Sequence, residues 1–333
     1  MSMTAVKKIK QLGAQWETQD PFLFCAYHYD NYPKGNIHLG PDAPLNGRNL
    51  GMDFTIKDGW RMYHGRSVPG FPAHPHRGFE TITIVEEGLA DHSDSLGACG
   101  RFGNGDVQWM TAGKGIQHSE MFPLLNQEAQ NPLLLFQLWL NLPRASKMAE
   151  PHYKMLWHED IPVIQEGGIS IKVIAGRYKN TKALSPAPDS WAAKAENGVN
   201  IWLVQLDPQG SWEIPVDHSS YNRTLYFYKG DYIKTEGYEI PEEHGLDLFA
   251  DKAITIKNGN VEGHFLCIQG KPIAEPVAQQ GPFVMNDYQE INDAITEYRN
   301  TQFGGWPWPK PDQTHGNERG RFARYTDGSE EIK

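Results

Sequence analysis

Short apolar runs separated by glycine and proline recur along the whole chain. They are rich in β-branched and aromatic residues and are bounded by turn-forming residues, which is typical of β-strands. The runs lie at 79–85, 107–110, 133–142, 169–175, 199–206, 224–228, 253–256 and 264–268. A parallel α/β sheet would need long helical crossovers between strands, and these are missing. The pattern therefore predicts an all-β fold, an antiparallel sandwich or jelly roll.

One helix is predicted near the C-terminal end. Within residues 286–300, apolar residues recur at helical spacing, namely Ile291, Ala294, Ile295 and Tyr298. Asp287, followed three residues later by Glu290, is typical of a capping box. The glycine pair at 304–305 is expected to stop the helix. We expect this helix to cover one domain's surface or the junction between domains.

The predicted strands fall into two groups, which suits a chain of 333 residues. We therefore expect a first β-domain over residues 1–143 and a second over residues 168–305, the latter including the helix. Residues 144–167 are polar and contain proline, and we interpret them as a linker. The tail, residues 306–333, is expected to lie over the surface, anchored by its aromatic side chains, without regular structure.

Net charge and cysteine content indicate which binding partners are disfavoured and which cellular compartment is expected. The formal net charge of −10 argues against direct binding to nucleic acid or to an anionic membrane. The three cysteines, Cys25, Cys99 and Cys267, are far apart and form no disulfide framework. This scarcity, with no signal peptide and no apolar run of membrane-spanning length, predicts a cytoplasmic protein.

Two closely spaced pairs of metal-ligating residues are the most informative chemistry in the chain. His74 and His76 are one residue apart, and so are His118 and Glu120. Side chains at i and i+2 of a strand leave by the same face, so each pair can direct two ligands into one cavity. Three imidazoles and a carboxylate suit a borderline divalent metal.

The fourth ligand is open between two carboxylates on the residues alone. Glu120 shares a face with His118. Glu80 shares strand parity with His74 and His76, provided that no bulge intervenes, and Gly78 makes a bulge plausible.

Other histidines carry less signal. His92 is interpreted as a loop histidine, with a place near the cavity mouth as the alternative. His64 is expected either to line the same cavity or to bond a backbone carbonyl. The remaining histidines lack paired spacing and receive no role: His28, His38, His152, His158, His218, His244, His264 and His315. The second half contains neither an HxH nor an HxE pair, so we expect its domain to bind no metal.

Several segments resemble the pirin family of the cupin superfamily. The segment His74–Thr81 resembles the family's first signature and Gly105–Met121 its second. Leu138–Pro143 continues the second signature, and Gly281–Asn286 and Gln302–Gly304 resemble the C-terminal segment. These motifs are specific, and the resemblance spans about residues 45–305.

The resemblance implies a bicupin, two jelly-roll barrels with metal only in the N-terminal one. It assigns His74, His76, His118 and Glu120 as ligands, with iron as the usual metal and nickel, copper, manganese or zinc as alternatives. Glu80 would then hold an imidazole or Arg77.

The resemblance also implies two classes of function. Some members are similar to quercetin 2,3-dioxygenase, which implies a hydroxylated ring substrate and O2, with Glu120 as a catalytic general base. Others are non-catalytic regulators whose iron redox state gates binding to a protein partner. We favour the dioxygenase and a monomeric state; a degenerate site with a structural metal is a third interpretation.

Overall fold

The computed structural model describes residues 4–333, whose regular secondary structure is almost entirely β-strand. The strands of the first half are β1 Val6–Gln11, β2 Gln15–Trp16, β3 Phe22–Tyr32, β4 Gly70–His76, β5 Phe79–Glu87, β6 Leu89–Asp94, β7 Cys99–Gly103, β8 Asp106–Thr111, β9 Ile116–Met121, β10 Asn131–Asn141 and β11 His152–Leu156. Those of the second half are β12 Val163–Glu166, β13 Ile169–Ala175, β14 Arg177–Tyr178, β15 Thr181–Lys182, β16 Asn200–Leu206, β17 Ser211–Ile214, β18 Asn222–Lys229, β19 Tyr232–Thr235, β20 Tyr238–Pro241, β21 His244–Phe249, β22 Ile254–Asn258, β23 Gly263–Gly270, β24 Ala278–Gln280, β25 Phe283–Met285, β26 Phe322–Arg324 and β27 Glu330–Ile332.

Helical structure in the described residues is limited to one α-helix and four single turns. The α-helix is α1, Tyr288–Thr301, and the 3₁₀ turns are Arg144–Ser146, Trp191–Ala193, Ala195–Asn197 and Gln302–Gly304. Within residues 4–333, no helix is both long and apolar enough to cross a membrane. Each predicted apolar run falls on a strand to within one or two residues, which confirms the all-β prediction.

Two compact units divide the chain, and each draws on separate stretches of sequence. The histidine unit comprises Tyr27–Leu138, Leu142–His158 and Glu275–Lys333. The companion unit comprises the described residues up to Ala26, with Trp139–Asn141 and Glu159–Ala274. The structure thus shifts the expected boundaries, because β1 pairs with β21 of the companion unit and α1 packs on β24 and β25 of the histidine unit.

The histidine unit is a sandwich of two sheets around one core. One sheet has the order β27-β26-β7-β6-β9-β4, and the other includes β11-β8-β5-β10-β3. Both sheets contribute to the core between them, with Val85 and Leu135 from one sheet and Ala90 and Phe102 from the other. Burial of these apolar side chains is the main force that holds the two sheets together.

The companion unit repeats this arrangement without the paired histidines. Its larger sheet has the order β1-β21-β18-β23-β16-β13-β12, and its smaller sheet β17-β22-β19-β20. Trp212 and Ile256 of the smaller sheet pack with Trp202 and Phe227 of the larger one in a hydrophobic core.

Two segments expected to be irregular contain strands. In the region predicted as a linker, residues 144–167, β11 pairs with β8 and β12 pairs with β13. In the tail, β26 pairs with β7 and buries Phe322, so the expectation of a tail without regular structure was wrong. The expected aromatic anchoring is present, because Trp308 Nε1 donates to the carbonyl of Asp94 at 2.8 Å.

The predicted helix is confirmed, including its capping box. Asp287 is the N-cap, its side chain accepts from the Glu290 backbone N–H, and the Glu290 side chain accepts from the N-cap backbone. The helix ends at Thr301, before the glycine pair that was expected to stop it, because Gln302 adopts the left-handed conformation at the C-cap. Its apolar face packs on Phe283 and Met285.

Gly78 makes the turn that carries the chain from β4 in one sheet to β5 in the other. Its φ is +87°, and a Cβ atom there would lie 1.9 Å from the carbonyl oxygen of Val284. Gly78→Ala is expected to lower the free energy of unfolding by about 2–3 kcal/mol, measured by chemical denaturation. Gly97→Ala is the matched control, since Gly97 has φ +90° but no atom within 4 Å of the added Cβ. An equal loss in both variants would contradict the proposed clash.

Candidate metal centre

The pairing of β4 with β9 brings the two sequence motifs together. His74 lies opposite His118 and Phe71 lies opposite Glu120, in antiparallel register. Between these two pairs β4 has one residue more than β9, so β4 contains a bulge. The bulge puts Phe71 and His74 on the same face of the strand despite their odd spacing. His74 and His76 follow the bulge and share that face, as their spacing predicts.

Three imidazoles converge at this point. His74, His76 and His118 each offer a ring nitrogen, and these nitrogens all lie within 4.8 Å of one another. The ring centroids are 4.5 Å apart for His74 and His118 and 4.9 Å apart for His76 and His118. The structure therefore brings together the three histidines predicted from sequence in a group that could hold a metal ion.

The protonation state of these histidines fits metal ligands. Burial lowers the pKa of His74 to about 4, and burial with repulsion from neighbouring imidazoles lowers the pKa of His76 and His118 well below the ordinary value. All three rings are therefore neutral at neutral pH, the form that ligates metals. His74 Nδ1 lies 2.9 Å from the Pro72 carbonyl oxygen, which orients that ring and leaves Nε2 as its ligand atom.

Buried ring nitrogens without hydrogen-bond partners provide an independent test of whether the histidine cluster suits a metal ion. Both nitrogens of His118 are buried and have no hydrogen-bond partner in the described part of the chain. Buried polar atoms almost always have a partner. In a neutral imidazole one nitrogen carries a proton and the other a free lone pair, so the unprotonated nitrogen of His118 is available to a ligand that accepts this lone pair. A divalent metal fits this donor set.

Glu120 lies on the same interior face as His118, two residues further along β9. Its carboxylate accepts hydrogen bonds from Thr83 Oγ1 at 2.8 Å and from Gln137 Nε2 at 2.5 Å. Burial raises its pKa above the ordinary value, while the bonds from Thr83 and Gln137 act in the opposite direction. The carboxylate is thus held in place and is a better proton acceptor than an exposed glutamate.

Glu80 points the other way. Its carboxylate accepts from Thr111 Oγ1 at 2.7 Å, and these two residues lie opposite each other on β5 and β8. Thr83, three residues along β5, faces Glu120, and strand alternation places residues three apart on opposite faces. Glu80 does not share a strand face with His74 and His76, because the turn at Gly78 moves the chain from the sheet of β4 to that of β5. Arg77, its other expected partner, forms an ion pair with Glu297 at 2.9 Å.

The expectation that His92 lies in a loop was wrong. His92 is on β6, fully buried, with its ring centroid 5.4 Å from that of His118. It stacks on the Tyr153 ring at 4.8 Å and 11°, and its Nε2 lies 3.3 Å from Asp94 Oδ2. His92 lies opposite Glu120 in the β6–β9 pairing and therefore shares the interior face with His118.

An aromatic group extends from His74 toward solvent; it comprises His28, Phe54, Tyr63, His64 and Phe71. The Phe71 ring lies 6.3 Å from His74 and 6.0 Å from His28. Phe54 is 48% exposed and lies 6.4 Å from Phe71, so the group reaches the surface. His64 Nδ1 lies 2.7 Å from the Gly51 carbonyl oxygen. His64 therefore bonds a backbone carbonyl, one of the two roles expected for it.

Sequence reasoning left His28 without a role. His28 lies on β3, and its Nδ1 is buried with no hydrogen-bond partner among residues 4–333. Its alternation with the buried Asp30 and Tyr32 on β3 was the available signal. Thr83 and Gln137, which hold Glu120, were also missed, because they lie on β5 and β10, distant from β9 in sequence.

Burial lowers the pKa of His28 to about 3. The unfolded chain binds a proton near pH 6.5 and the folded chain does not, so stability is full above pH 6.5 and falls as pH drops from 6.5 toward 3. His28→Leu is expected to reduce this fall by up to about 1.4 kcal/mol per pH unit, measured by urea denaturation between pH 6.5 and 4.5. The exposed His38→Leu is the control and should leave the slope unchanged. An unchanged slope in His28→Leu would show that His28 titrates normally.

An all-β chain with two antiparallel barrels and a histidine cluster inside one of them is a bicupin, and the family comparisons agree. Residues 4–140 match the family Pirin, and residues 201–304 match the Pirin C-terminal cupin domain. The chain belongs to the pirin family.

Individual relatives cover most of the chain. Human pirin is 36% identical over 73% of this chain and 80% of its own length. Pirin-1 of Arabidopsis thaliana is 39% identical over 71% of this chain and 78% of its own length. A crystal structure of quercetin 2,3-dioxygenase from Acinetobacter baumannii superposes with a TM-score of 0.72 at 26% identity, covering 91% of this chain and 99% of that one.

Proposed function

We propose that this protein is a metal-dependent dioxygenase that acts on quercetin-like ring compounds bearing a hydroxyl group beside a carbonyl. The observation that carries the proposal is the convergence of three neutral imidazoles, those of His74, His76 and His118. The buried carboxylate of Glu120, two residues beyond His118 on β9, lies outside that group and is proposed as the fourth ligand. The likeness to the Acinetobacter baumannii quercetin 2,3-dioxygenase over nearly the whole chain supports the same chemistry.

The residues that would hold the metal are His74, His76, His118 and Glu120, with Fe2+ as the expected ion. A divalent metal there would supply Lewis acidity toward the ring oxygens of the substrate and a coordination position for O2. The net charge of such a site, one positive, favours an anionic ligand such as a deprotonated ring hydroxyl.

Glu120 is proposed to take the proton from that hydroxyl. A general base works best when its pKa is near the working pH, and burial moves the pKa of Glu120 in that direction. Gln137 and Thr83 fix the carboxylate by donating to its two oxygens, so the proton acceptor is positioned before the substrate arrives.

The aromatic group would bind the planar ring. Phe71 and Phe54 offer ring faces that stack on an aromatic substrate, and their position beside His74 places the ring next to the metal ligands. The unpartnered Nδ1 of His28 gives this otherwise apolar wall one polar contact for a substrate hydroxyl or carbonyl.

The experiment is metal loading followed by a turnover assay. The apo-protein is loaded with ferrous iron, nickel, copper, manganese or zinc, and quercetin loss is followed together with O2 uptake. We expect one metal to give quercetin loss and O2 uptake in a fixed ratio. Phe71→Ala, which removes the ring proposed to stack on the substrate, is expected to raise KM more than it lowers kcat. A stoichiometrically loaded protein that consumes neither compound contradicts the proposal. It would favour the alternative, a non-catalytic iron-dependent regulator with a protein partner.

A further inference from the structure

Arg223 is buried in the companion unit with two nitrogens that lack a partner. It lies on β18 with 1% of its surface exposed. Its Nε donates to Gln269 Oε1 at 2.6 Å. Nη1 and Nη2 are both buried and have no hydrogen-bond partner within the described residues. Buried guanidinium groups normally have every donor satisfied, so this one calls for an acceptor from outside the chain.

Strand alternation shows where the guanidinium points. Arg223, Leu225 and Phe227 occupy alternate positions of β18, and Leu225 and Phe227 belong to the apolar core between the two sheets. Gln269, which lies opposite Arg223 on β23, shares that face. The Arg223 side chain therefore enters the barrel interior at the edge of the core.

A second unpartnered donor lies on β16, two strands away from β18 in the same sheet. Trp202 on β16 is 2% exposed, and its Nε1 is buried without a partner among residues 4–333. Trp202 lies opposite Cys267, and Cys267 in turn lies opposite Leu225. Cys267 thus has Trp202 beside it on one side and Leu225 on the other, and Leu225 is two residues from Arg223 on the same face of β18.

No carboxylate within residues 4–333 forms an ion pair with Arg223. Asp217 is the acid that interacts with it, but its Oδ2 accepts from Gln269 Nε2 at 2.8 Å, and Asp217 is exposed. Arg223 thus reaches this acid through an amide and not through an ion pair. A fork of two guanidinium N–H groups matches two oxygens of a carboxylate or of a tetrahedral oxyanion.

We propose that the companion unit binds one small oxyanion inside its barrel, held by Arg223 Nη1 and Nη2 and by Trp202 Nε1. This site lies outside the histidine unit and does not depend on the proposed dioxygenase function. The apolar core around it favours a small anion without a bulky polar part.

The test is anion binding by the full-length, metal-loaded protein. Inorganic phosphate and acetate are titrated at constant ionic strength against chloride, with isothermal titration calorimetry for stoichiometry and thermal unfolding for stability. We expect one site per chain and a saturable rise in Tm of about 5 °C at a 100-fold excess over Kd. A response to phosphate alone would identify a tetrahedral oxyanion, and a response to acetate alone a carboxylate; either supports the site.

Three variants separate a specific site from general salt effects. Arg223→Met should abolish the saturable response. Trp202→Phe removes one donor from an apolar setting and should weaken Kd about 10-fold, which keeps the test valid if Arg223→Met does not fold. Trp212→Phe is the matched control, since Trp212 Nε1 already donates to Tyr178 Oη at 3.1 Å, and its Kd should equal that of the wild type. Equal effects of chloride, phosphate and acetate, or a wild-type Kd in Trp202→Phe, would overturn the proposal.

Discussion

His76→Ala is expected to release the metal and abolish turnover. His76 is 3% exposed, and its ring centroid lies 4.8 Å from that of His74 and 4.9 Å from that of His118, so its loss leaves two of the three clustered imidazoles. Metal affinity should fall by more than about 100-fold, measured by competition with a chelator. His38→Ala, an exposed histidine outside the cluster, should retain wild-type affinity.

Stability must be measured alongside metal content. A metal that binds the folded state raises Tm by mass action, so the wild type should lose that increment on chelation and His76→Ala should have none to lose. If His76→Ala keeps full metal occupancy, the metal does not bind at the histidine cluster.

Glu120→Gln is expected to retain part of the metal but to lower kcat by about 10²–10⁴-fold. The amide preserves the shape of the side chain and can still meet Thr83 or Gln137, yet it cannot take a proton. The readouts are metal content and kcat for quercetin in the same preparation. Glu80→Gln is the control carboxylate: it is fully buried as well but faces away from the cavity, so kcat should change by less than about threefold.

The two variants together distinguish the roles of the carboxylates. Full turnover in Glu120→Gln would remove Glu120 as the base. Loss of turnover in Glu80→Gln with an intact fold would return Glu80 to the site, against the strand alternation that separates it from Thr83.

Much of the site was predictable because its strongest signals are local. The i, i+2 spacing of His74 and His76 and of His118 and Glu120 is a property of a single strand. The structure brings His74, His76 and His118 together, whereas Glu120 as the fourth ligand stays a prediction. The strands β5, β13 and β16 were also predictable, since they are rich in β-branched and apolar residues.

The strands that carry the ligands were harder to predict. β4 contains Pro72 and Pro75, which argue against a central strand, but β4 is an edge strand, where a missing N–H is tolerated. β6 contains Asp91, His92 and Asp94, which resemble a loop in composition. These residues are buried because they hydrogen-bond within the fold, for example Asp91 with the Arg101 guanidinium at 2.6 Å.

Non-local strand pairing explains the remaining differences between the predicted and the observed fold. Nothing near Val6–Gln11 in sequence indicates that this segment pairs with β21 about 240 residues later. The same holds for Phe322–Arg324, which adds to the sheet of β6 and β9 through β7. Such partners depend on which sheet edges remain free after the local strands have paired, and a single sequence does not encode that order locally.

The most direct test of a dioxygenase centre at the histidine cluster is isotope labelling of the turnover product. The metal-loaded protein is given quercetin under ¹⁸O₂, and the product is analysed by mass spectrometry. A dioxygenase at the histidine cluster predicts incorporation of both labelled atoms per substrate consumed, with no labelled product from His76→Ala. Incorporation of one atom or none, or the same labelling in His76→Ala, would contradict a dioxygenase centre at this site.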